Sequence, residues 1–208
     1  MKNTCALIVF AKAPVAGFAK TRLAKVIGND AAARLAARML SETVVQAVAA
    51  DLGPVELCCA PDTSHAQFAL QQTRHAVTSV TLSSQGEGDL GQRMCRALAR
   101  ALQQHQRVLL IGTDAPALQA AHLQTAAQAL LEHDAVFAPA HDGGYVLVGL
   151  SRSLPGLFDG IAWSSAEVMA QTRDKLALLH ASCFELPTFF DIDEAPDLQH
   201  VPPAWMVA

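Results

Sequence analysis

The sequence predicts an α/β protein in which a mostly parallel β-sheet is covered by helices on both faces. Short apolar runs alternate with longer segments of helical periodicity, which is typical of strands joined by crossover helices. The runs are apolar throughout rather than alternately polar, as expected for strands buried on both faces. Predicted strands cover residues 5–10, 55–59, 77–82, 108–111, 135–138 and 145–150, and predicted helices cover residues 29–50, 63–72, 89–105 and 119–132.

A further helix is predicted in the last quarter of the chain. Ser164 and Glu167 have the spacing of a capping box. Trp163 and Val168 have the spacing of a hydrophobic staple around the same start. We therefore expect a helix that begins at Ser164 and runs to about Leu179.

Composition narrows the class of protein. The 208 residues can bury one core, and no repeat or linker divides them, so we expect a single domain over residues 1–208. Hydrophobic residues make up 51% and charged residues 16%, which argues against disorder. A net charge of −4 without a basic stripe argues against a nucleic-acid partner.

Cysteine usage and apolar runs bear on the compartment. The five cysteines form no C-x-x-C pair, and we expect them to be reduced packing residues. The sequence has no N-terminal signal pattern and no apolar run near the roughly 18 residues of a membrane span. We expect a soluble, cytoplasmic protein without a membrane span, and the sequence leaves its oligomeric state open, a homo-oligomer included.

Positive charge gathers around the loop that follows the first strand. Four of the five lysines lie within the first 25 residues, although the protein is acidic. Lys12, Lys20 and Arg22 flank a loop that contains Gly17. Such a loop at a strand end can hold phosphate through fixed charges and free backbone N–H groups. The spacing is not that of a P-loop, and a solvated surface loop is the alternative interpretation.

A glycine-rich segment, residues 86–91, follows the third predicted strand. Its three glycines would let the backbone approach a flat or phosphorylated ligand. Asp89 and Gln92 have N-cap spacing, so a plain turn from strand to helix is the alternative interpretation.

Two acidic positions are candidate metal ligands. Asp114 follows the strongest buried strand, where a carboxylate can coordinate Mg²⁺ or Mn²⁺ that bridges phosphates. The alternative is an N-cap for the next helix. Asp191 and Asp193 alternate about one apolar residue, so in an extended segment both face the same side. Two carboxylates on one face repel unless a cation or a basic group lies between them, which favours a ligand site over an exposed turn.

The segment from Asp142 to Tyr145 lies between the last two predicted strands. Its Asp-Gly pair is a hairpin signal, which is one interpretation. The other is a ligand site at the same edge of the sheet.

Taken together, these residues resemble the bacterial family of arsenosugar-biosynthesis-type glycosyltransferases, a branch of the GT-A nucleotide-diphospho-sugar transferase superfamily. The first and last of the matching segments also resemble the phospholactate and molybdenum-cofactor guanylyltransferases, which share the fold. The matching positions are, in chain order, Phe10, Lys12, Pro14, Gly17, Lys20 to Leu23, Gln85, Gly86, Gly88 to Gly91, Arg93, Met94, Gly112 to Asp114, Pro116, Asp142 to Tyr145, Trp163 and Asp191 to Asp193.

The resemblance implies a single-domain GT-A-like fold and a role for each matching position. Nucleotide-binding residues would be Phe10, Ala11, Lys12, Gly17, Lys20, Arg22, Gly88, Asp89, Leu90, Gly91 and Arg93. Acceptor or sugar contacts would come from Gly143, Gly144, Tyr145, Trp163 and Asp191. Gly143 and Gly144 would leave space for the sugar, Tyr145 would offer a hydroxyl and a flat face, and Asp142 would be the candidate base for the acceptor. Catalytic roles would fall to Lys20 and Asp142, and Asp114 and Asp193 would bind Mg²⁺ or Mn²⁺. The sequence departs from the superfamily in having Thr113-Asp114-Ala115 instead of a D-x-D triplet.

The function that the resemblance implies is metal-dependent glycosyl transfer from a nucleotide sugar to a small-molecule acceptor. The first alternative is nucleotidyl transfer, guanylyl or cytidylyl, to a phosphorylated small molecule with release of pyrophosphate. The Lys-rich first loop favours this alternative, because a triphosphate carries more charge. The absence of Lys and Arg between Arg107 and Arg152 favours glycosyl transfer. The second alternative is a non-catalytic nucleotide-binding protein.

Overall fold

A computed structural model describes residues 5–75 and 80–205 of the chain. Within these residues, the first strand begins at Cys5 and the last 3₁₀ helix ends at Trp205. The elements, in chain order, are β1 (Cys5–Lys12), α1 (Thr21–Ile27), α2 (Asn29–Ala49), β2 (Val55–Ala60), α3 (Ala66–Arg74), β3 (Thr81–Ser84), α4 (Leu90–Leu102), β4 (Arg107–Ile111), α5 (Ala120–Ala129), β5 (Ala135–Pro139), β6 (Tyr145–Leu150), α6 (Val168–Leu178), β7 (Cys183–Glu185) and two 3₁₀ helices, Ala195–His200 and Pro203–Trp205.

The described strands form one sheet in the order β3-β2-β1-β4-β6-β5-β7. Strand β6 runs antiparallel to its neighbours β4 and β5, and the other neighbouring pairs are parallel. The prediction of a mostly parallel sheet is confirmed. Strands β4 and β5 are buried along their whole length, in agreement with sequences that are apolar apart from Arg107 at the start of β4.

Helices pack on both faces of this sheet, as predicted. Side chains of β1 alternate between the faces, because successive residues of a strand point to opposite sides. Leu7 and Val9 join the core with α2 and α5, whereas Ile8 and Phe10 join the core with α4 and α6. None of the helices in residues 5–75 and 80–205 has the length and hydrophobicity needed to cross a bilayer.

A small third cluster fixes the C-terminal segment. Leu23 of α1 and two residues of α2, Leu35 and Met39, are buried against Ile192 and Val201. Because Ile192 is fully buried here, the acidic residues on either side of it are held beside the start of α1. This contact joins the C-terminal segment to α1 and α2.

The start of the last long helix differs from the prediction. Helix α6 begins at Val168 rather than Ser164, and Ser164 has a left-handed φ of 64°. The Ser165 hydroxyl donates to the Ala162 carbonyl (2.7 Å) and accepts from the Glu167 N–H (3.3 Å), so the serine stabilises a turn instead of a cap.

Helix α1, strand β7 and the two 3₁₀ helices were not predicted, and one predicted strand is described only in part. Helix α1 has seven residues and β7 has three, too few for a periodic pattern to stand out. The predicted third strand began at residue 77, but residues 77–79 lie outside the described part of the chain. In the described part of the chain, the third strand covers Thr81–Ser84.

Candidate active site

A cleft of ≈ 1050 Å³ opens at the carboxyl edge of the sheet. Its walls come from the ends of β1, β2 and β3, the loop after β4, the first turns of α1 and α4, and the start of β6. Ligands of open α/β sheets bind at this edge. The predicted site residues that line the cleft are Phe10, Lys12, Lys20, Arg22, Leu90, Arg93, Asp114, Tyr145 and Asp193. The predicted site residues outside its lining are Ala11, Gly17, Gly88, Asp89, Gly91, Asp142, Gly143, Gly144, Trp163 and Asp191.

The loop after β1 carries two differently placed lysines. Lys12 is exposed, and its ammonium nitrogen lies 4.0 Å from the centre of the Phe18 ring, a cation–π contact. Lys20 immediately precedes α1 in a left-handed conformation with φ 50° and ψ 45°. Its side chain turns inward, and only 7% of it is exposed. The positive charge of Lys12, at the end of β1, is therefore exposed, and that of Lys20, at the end of the loop, is buried.

Lys20 binds the two residues that were predicted to hold the metal. Its Nζ lies 2.7 Å from Asp114 Oδ1 and 4.0 Å from Asp193 Oδ1, and it donates a hydrogen bond to the Ile192 carbonyl. A buried ammonium requires such partners, because it has lost its water shell. Asp114 and Asp193 thus lie beside one ammonium group, and their binding of a shared metal ion stays a prediction.

The acidic segment and the start of α1 are tied together by further bonds. Arg22 Nη1 donates to Asp193 Oδ2 (3.0 Å) and to Glu194 Oε1 (3.3 Å). The Ile192 N–H donates to the Asp114 carbonyl (2.8 Å), which fixes the segment to the loop after β4. Arg22, predicted to contact phosphate, is thus paired with carboxylates at the mouth of the cleft.

The donor chemistry at this point suits a divalent metal. Asp114 and Asp193 offer carboxylate oxygens, the ligands that Mg²⁺ and Mn²⁺ prefer. Within residues 5–75 and 80–205, no group of three or more His, Cys, Asp or Glu side chains is arranged to hold an ion. Mg²⁺ often takes one or two carboxylates and completes its shell with phosphate and water, so two carboxylates are sufficient. The Lys20 ammonium already lies beside these two carboxylates, so the space next to them accommodates a positive charge.

Asp191 lies in an unusual electrostatic environment. Burial, together with the nearby negative charges of Asp142 and Asp114, raises the pKa of the Asp191 carboxyl to about 6. Ile192, between Asp191 and Asp193, is buried, and the prediction that the two carboxylates share a side stays a prediction. Asp191 can therefore exchange a proton near neutral pH, a property that the sequence pattern did not indicate.

The glycine-rich segment is explained by contacts within the protein. A Cβ on Gly88 would lie 2.3 Å from Gln92 Oε1, and a Cβ on Gly91 would lie 2.7 Å from Trp163 Cζ2. Asp89 caps α4 by accepting from the Gln92 N–H (2.8 Å), and the Gln92 side chain accepts from the Asp89 N–H (3.1 Å). The predicted N-cap is confirmed. Gly88 and Gly91 make room for this cap and for the Trp163 indole, and their role in nucleotide binding stays a prediction.

A buried glutamine that was not assigned to the site holds Arg93 in place. Gln85 Nε2 donates to the carbonyls of Ala11 (3.3 Å) and Cys58 (3.0 Å), and its Oε1 accepts from Arg93 Nη1 (2.9 Å). Arg93 Nε also donates to the Asp89 carbonyl (3.3 Å). In the part of the chain that the structure describes, no carboxylate pairs with Arg93. Its charge is thus fixed in the cleft wall and free for an anionic ligand.

The hairpin between β5 and β6 is built for packing. The Asp142 carboxylate accepts from the Gly144 N–H (2.8 Å), and the strands pair antiparallel, as the Asp-Gly signal predicted. A Cβ on Gly143 would lie 2.1 Å from the Ala166 carbonyl oxygen. The Gly143 carbonyl accepts from the Met169 N–H (2.8 Å) at the start of α6. The space at Gly143 is therefore filled by the protein, contrary to the expected opening for a sugar.

The two aromatic residues predicted to contact the sugar belong to the core. The Tyr145 hydroxyl is buried beside Thr172, and burial raises its pKa. The Tyr145 ring packs edge-on against Phe137, with ring centroids 4.9 Å apart, and against Trp163. Trp163 in turn lies on Gly91. These contacts turn the Tyr145 hydroxyl away from the cleft that its residue lines.

The sheet order and the cleft define the class: the protein has the fold of the nucleotide-diphospho-sugar transferases and nucleotidyltransferases. Residues 43–165 match the family described as an uncharacterized protein conserved in bacteria (DUF2064), and the chain belongs to that family. It is 31% identical to a candidate nucleotide-diphospho-sugar transferase from Desulfovibrio desulfuricans G20, with a TM-score of 0.84 over 98% of this chain and 88% of that chain. The narrower assignment to arsenosugar-biosynthesis-type enzymes stays a prediction.

More distant structures share the fold alone. Rv0371c from Mycobacterium tuberculosis H37Rv, in complex with manganese, is 16% identical over 95% of this chain and 98% of that chain, with a TM-score of 0.56. A nucleotidyl transferase from Methanothermobacter is 10% identical over 98% of both chains, with a TM-score of 0.64. No curated protein matches the sequence.

Proposed function

We propose that the protein transfers a glycosyl group from a nucleotide-diphospho-sugar to a small-molecule acceptor, assisted by Mg²⁺ or Mn²⁺. The similarity to the Desulfovibrio protein over nearly the whole chain supports the donor class. The manganese in the mycobacterial structure belongs to a protein that shares only the fold, so the metal is proposed from the oxygen donors of Asp114 and Asp193.

The observation that carries the choice of reaction is the charge distribution in the cleft. Lys12 and Arg93 line the side formed by β1 and α4, and no carboxylate among the described residues pairs with either, whereas Lys20 and Arg22 lie against Asp114 and Asp193. On the other side, Asp114 lines the cleft and Asp142 and Asp191 lie close by. A diphosphate is attracted to the first side, and a phosphorylated acceptor would be repelled by the second.

The part of the chain that carries Asp114 and Asp142 contains no lysine or arginine. No Lys or Arg occurs between Arg107 and Arg152, and the Arg107 guanidinium donates to the Ala127 carbonyl, away from the cleft. Nucleotidyl transfer to a phosphorylated acceptor would require a cation here. The charged first loop favours a triphosphate less than its sequence suggested, because Lys20 and Arg22 are neutralised by Asp114, Asp193 and Glu194.

In the proposed reaction, the basic residues bind the diphosphate and an acidic residue acts on the acceptor. Lys12 and Arg93 bind the diphosphate, and Gln85 keeps Arg93 oriented. When bound, the divalent ion supplies Lewis-acid stabilisation to the departing diphosphate. Preorganised positive charge lowers the barrier because it is aimed at the charge that develops on the leaving group. Asp191, with its pKa raised to about 6, accepts the proton of the acceptor hydroxyl, with Asp142 beside it.

The test is to incubate the protein with Mn²⁺ and, separately, UDP-, GDP-, ADP- and CDP-sugars, and to measure the nucleoside diphosphate released. We expect release with at least one donor, and we expect Asp114→Asn to abolish it. A parallel incubation with nucleoside triphosphates and a pool of phosphorylated metabolites detects the rival reaction, because only nucleotidyl transfer releases pyrophosphate. Binding without turnover in either arm would favour a nucleotide-binding protein without catalytic activity.

A further inference from the structure

Lys20 is placed like a bound cation rather than like a surface lysine. Its left-handed backbone at the start of α1 directs the side chain inward, where only 7% of it is exposed. The ammonium lies among oxygens of Asp114, Asp193 and the Ile192 backbone. Carboxylate and carbonyl oxygens are also the ligands that Mg²⁺ and Mn²⁺ prefer. One position thus has the ligand set for two kinds of cation.

The two cations compete for the space between the two carboxylates. Lys20 Nζ lies 2.7 Å from Asp114 Oδ1 and 4.0 Å from Asp193 Oδ1, and an ion that bridges these carboxylates must lie within roughly 2.0–2.6 Å of an oxygen of each, so it would come into contact with the ammonium. Like charges at that distance repel strongly in a partly buried site. Asp193 keeps a partner in either state, because its other oxygen accepts from Arg22 (3.0 Å).

We propose that the Lys20 ammonium and the divalent metal bind Asp114 and Asp193 alternately, so that entry of the metal releases Lys20 into the cleft. The proposal rests on the metal requirement of the proposed function. Lys20 already lines the cleft, and its flexible four-carbon stem can carry the freed charge to a diphosphate. The lysine holds the acidic pair together when no metal is bound and becomes a phosphate ligand when metal is bound.

Two consequences follow from this exchange. The metal alone binds weakly, since it must break the contacts of Lys20 with Asp114 and Ile192. A nucleoside diphosphate offers the freed ammonium a new partner, so metal and nucleotide bind cooperatively, each increasing the affinity for the other by the same factor.

The decisive experiment compares wild type with Lys20→Met by Mn²⁺ titration followed by electron paramagnetic resonance, without nucleotide. A charged hydrogen bond contributes about 1.5–3 kcal/mol, which corresponds to roughly 10- to 100-fold in affinity, so Lys20→Met should bind Mn²⁺ tighter by about that factor. Lys25→Met is the matched control, because Lys25 is exposed in the last turn of α1, and it should leave the affinity unchanged. With UDP or GDP present, the wild-type affinity for Mn²⁺ should rise, and that of Lys20→Met should rise less.

Equal or weaker Mn²⁺ binding by a folded Lys20→Met variant would overturn the exchange and leave the proposed function standing. Absence of Mn²⁺ binding in wild type and variant, with and without nucleotide, would overturn both. If Lys20→Met does not fold, wild-type protein labelled with ¹³C at lysine Cε gives a second test. Titration with Mg²⁺ should then shift the Lys20 resonance, assigned from Lys20→Arg, and Mg²⁺ binding without that shift would contradict the proposal.

Discussion

Gly91 provides the sharpest test of whether the glycine-rich segment serves packing or ligand binding. Gly91 is buried in the first turn of α4, where it faces the Trp163 indole. A Cβ added there would lie 2.7 Å from Trp163 Cζ2, 2.9 Å from its Nε1 and 3.0 Å from the Phe158 carbonyl oxygen. Trp163 is itself in contact with Tyr145 and Phe158, so it cannot move away freely.

The expected change in stability follows from this overlap. Overpacking a core typically costs about 1–3 kcal/mol, and valine, with two further methyl groups, belongs at the upper end of the range. Valine is a better helix former than glycine, which offsets part of this by a few tenths of a kcal/mol. We expect Gly91→Val to lower the free energy of unfolding by about 2–3 kcal/mol, or the Tm by roughly 4–12 °C for a domain of this size.

The assay is urea and thermal unfolding, combined with calorimetric titration of a nucleoside diphosphate at a temperature where the variant is folded. Gly112→Ala is the control for stability, because no atom lies within 4 Å of the added Cβ. Gly91→Val combined with Trp163→Leu should recover part of the loss, since residues in contact couple by about 0.5–3 kcal/mol. A Gly91→Val protein of unchanged stability that no longer binds nucleotide would refute the packing explanation.

Two further predictions concern charged groups of the site. Arg93→Ala should weaken the binding of a nucleoside diphosphate by about 1.5–3 kcal/mol, because the Gln85-oriented guanidinium is lost. Calorimetry against Arg34→Ala, an exposed arginine of α2, measures this, and equal affinities would contradict the role of Arg93. Asp191→Asn should be more stable than wild type above about pH 6. The raised pKa of Asp191 means that the folded state favours the protonated carboxyl, and the wild-type protein loses this stabilisation as the pH rises from about 4 to 6. The difference in urea midpoints should vanish near pH 4, and a difference independent of pH would count against the buried environment of Asp191.

Much of the fold could be predicted because it follows from local pattern. The predominantly apolar runs form β1, β2, β4, β5 and β6, and Asp89 and Gln92 form the cap of α4 that their spacing predicted. The start of α6 could not be predicted from Ser164 and Glu167. Their spacing allows a capping box, but the turn of Ser165 and the bond from Met169 to the Gly143 carbonyl decided the helix start.

For the site, the sequence by itself determined which charged residues follow the strands, and the sheet topology then brought Lys12, Lys20, Asp114 and Asp193 to one edge. Only the tertiary structure decided their partners. Lys20 could have faced a phosphate or a carboxylate, and burial beside Asp114 selected the carboxylate, because an ammonium out of water needs an opposite charge. The spacing of residues 86–91 likewise fits both a loop that binds a ligand and a loop that packs against the protein. Gly91 packs against Trp163, a residue far along the chain, and the sequence near Gly91 does not indicate this contact. Periodicity and burial are encoded among near neighbours, whereas ion-pair partners and close contacts depend on residues that meet only when the chain has folded.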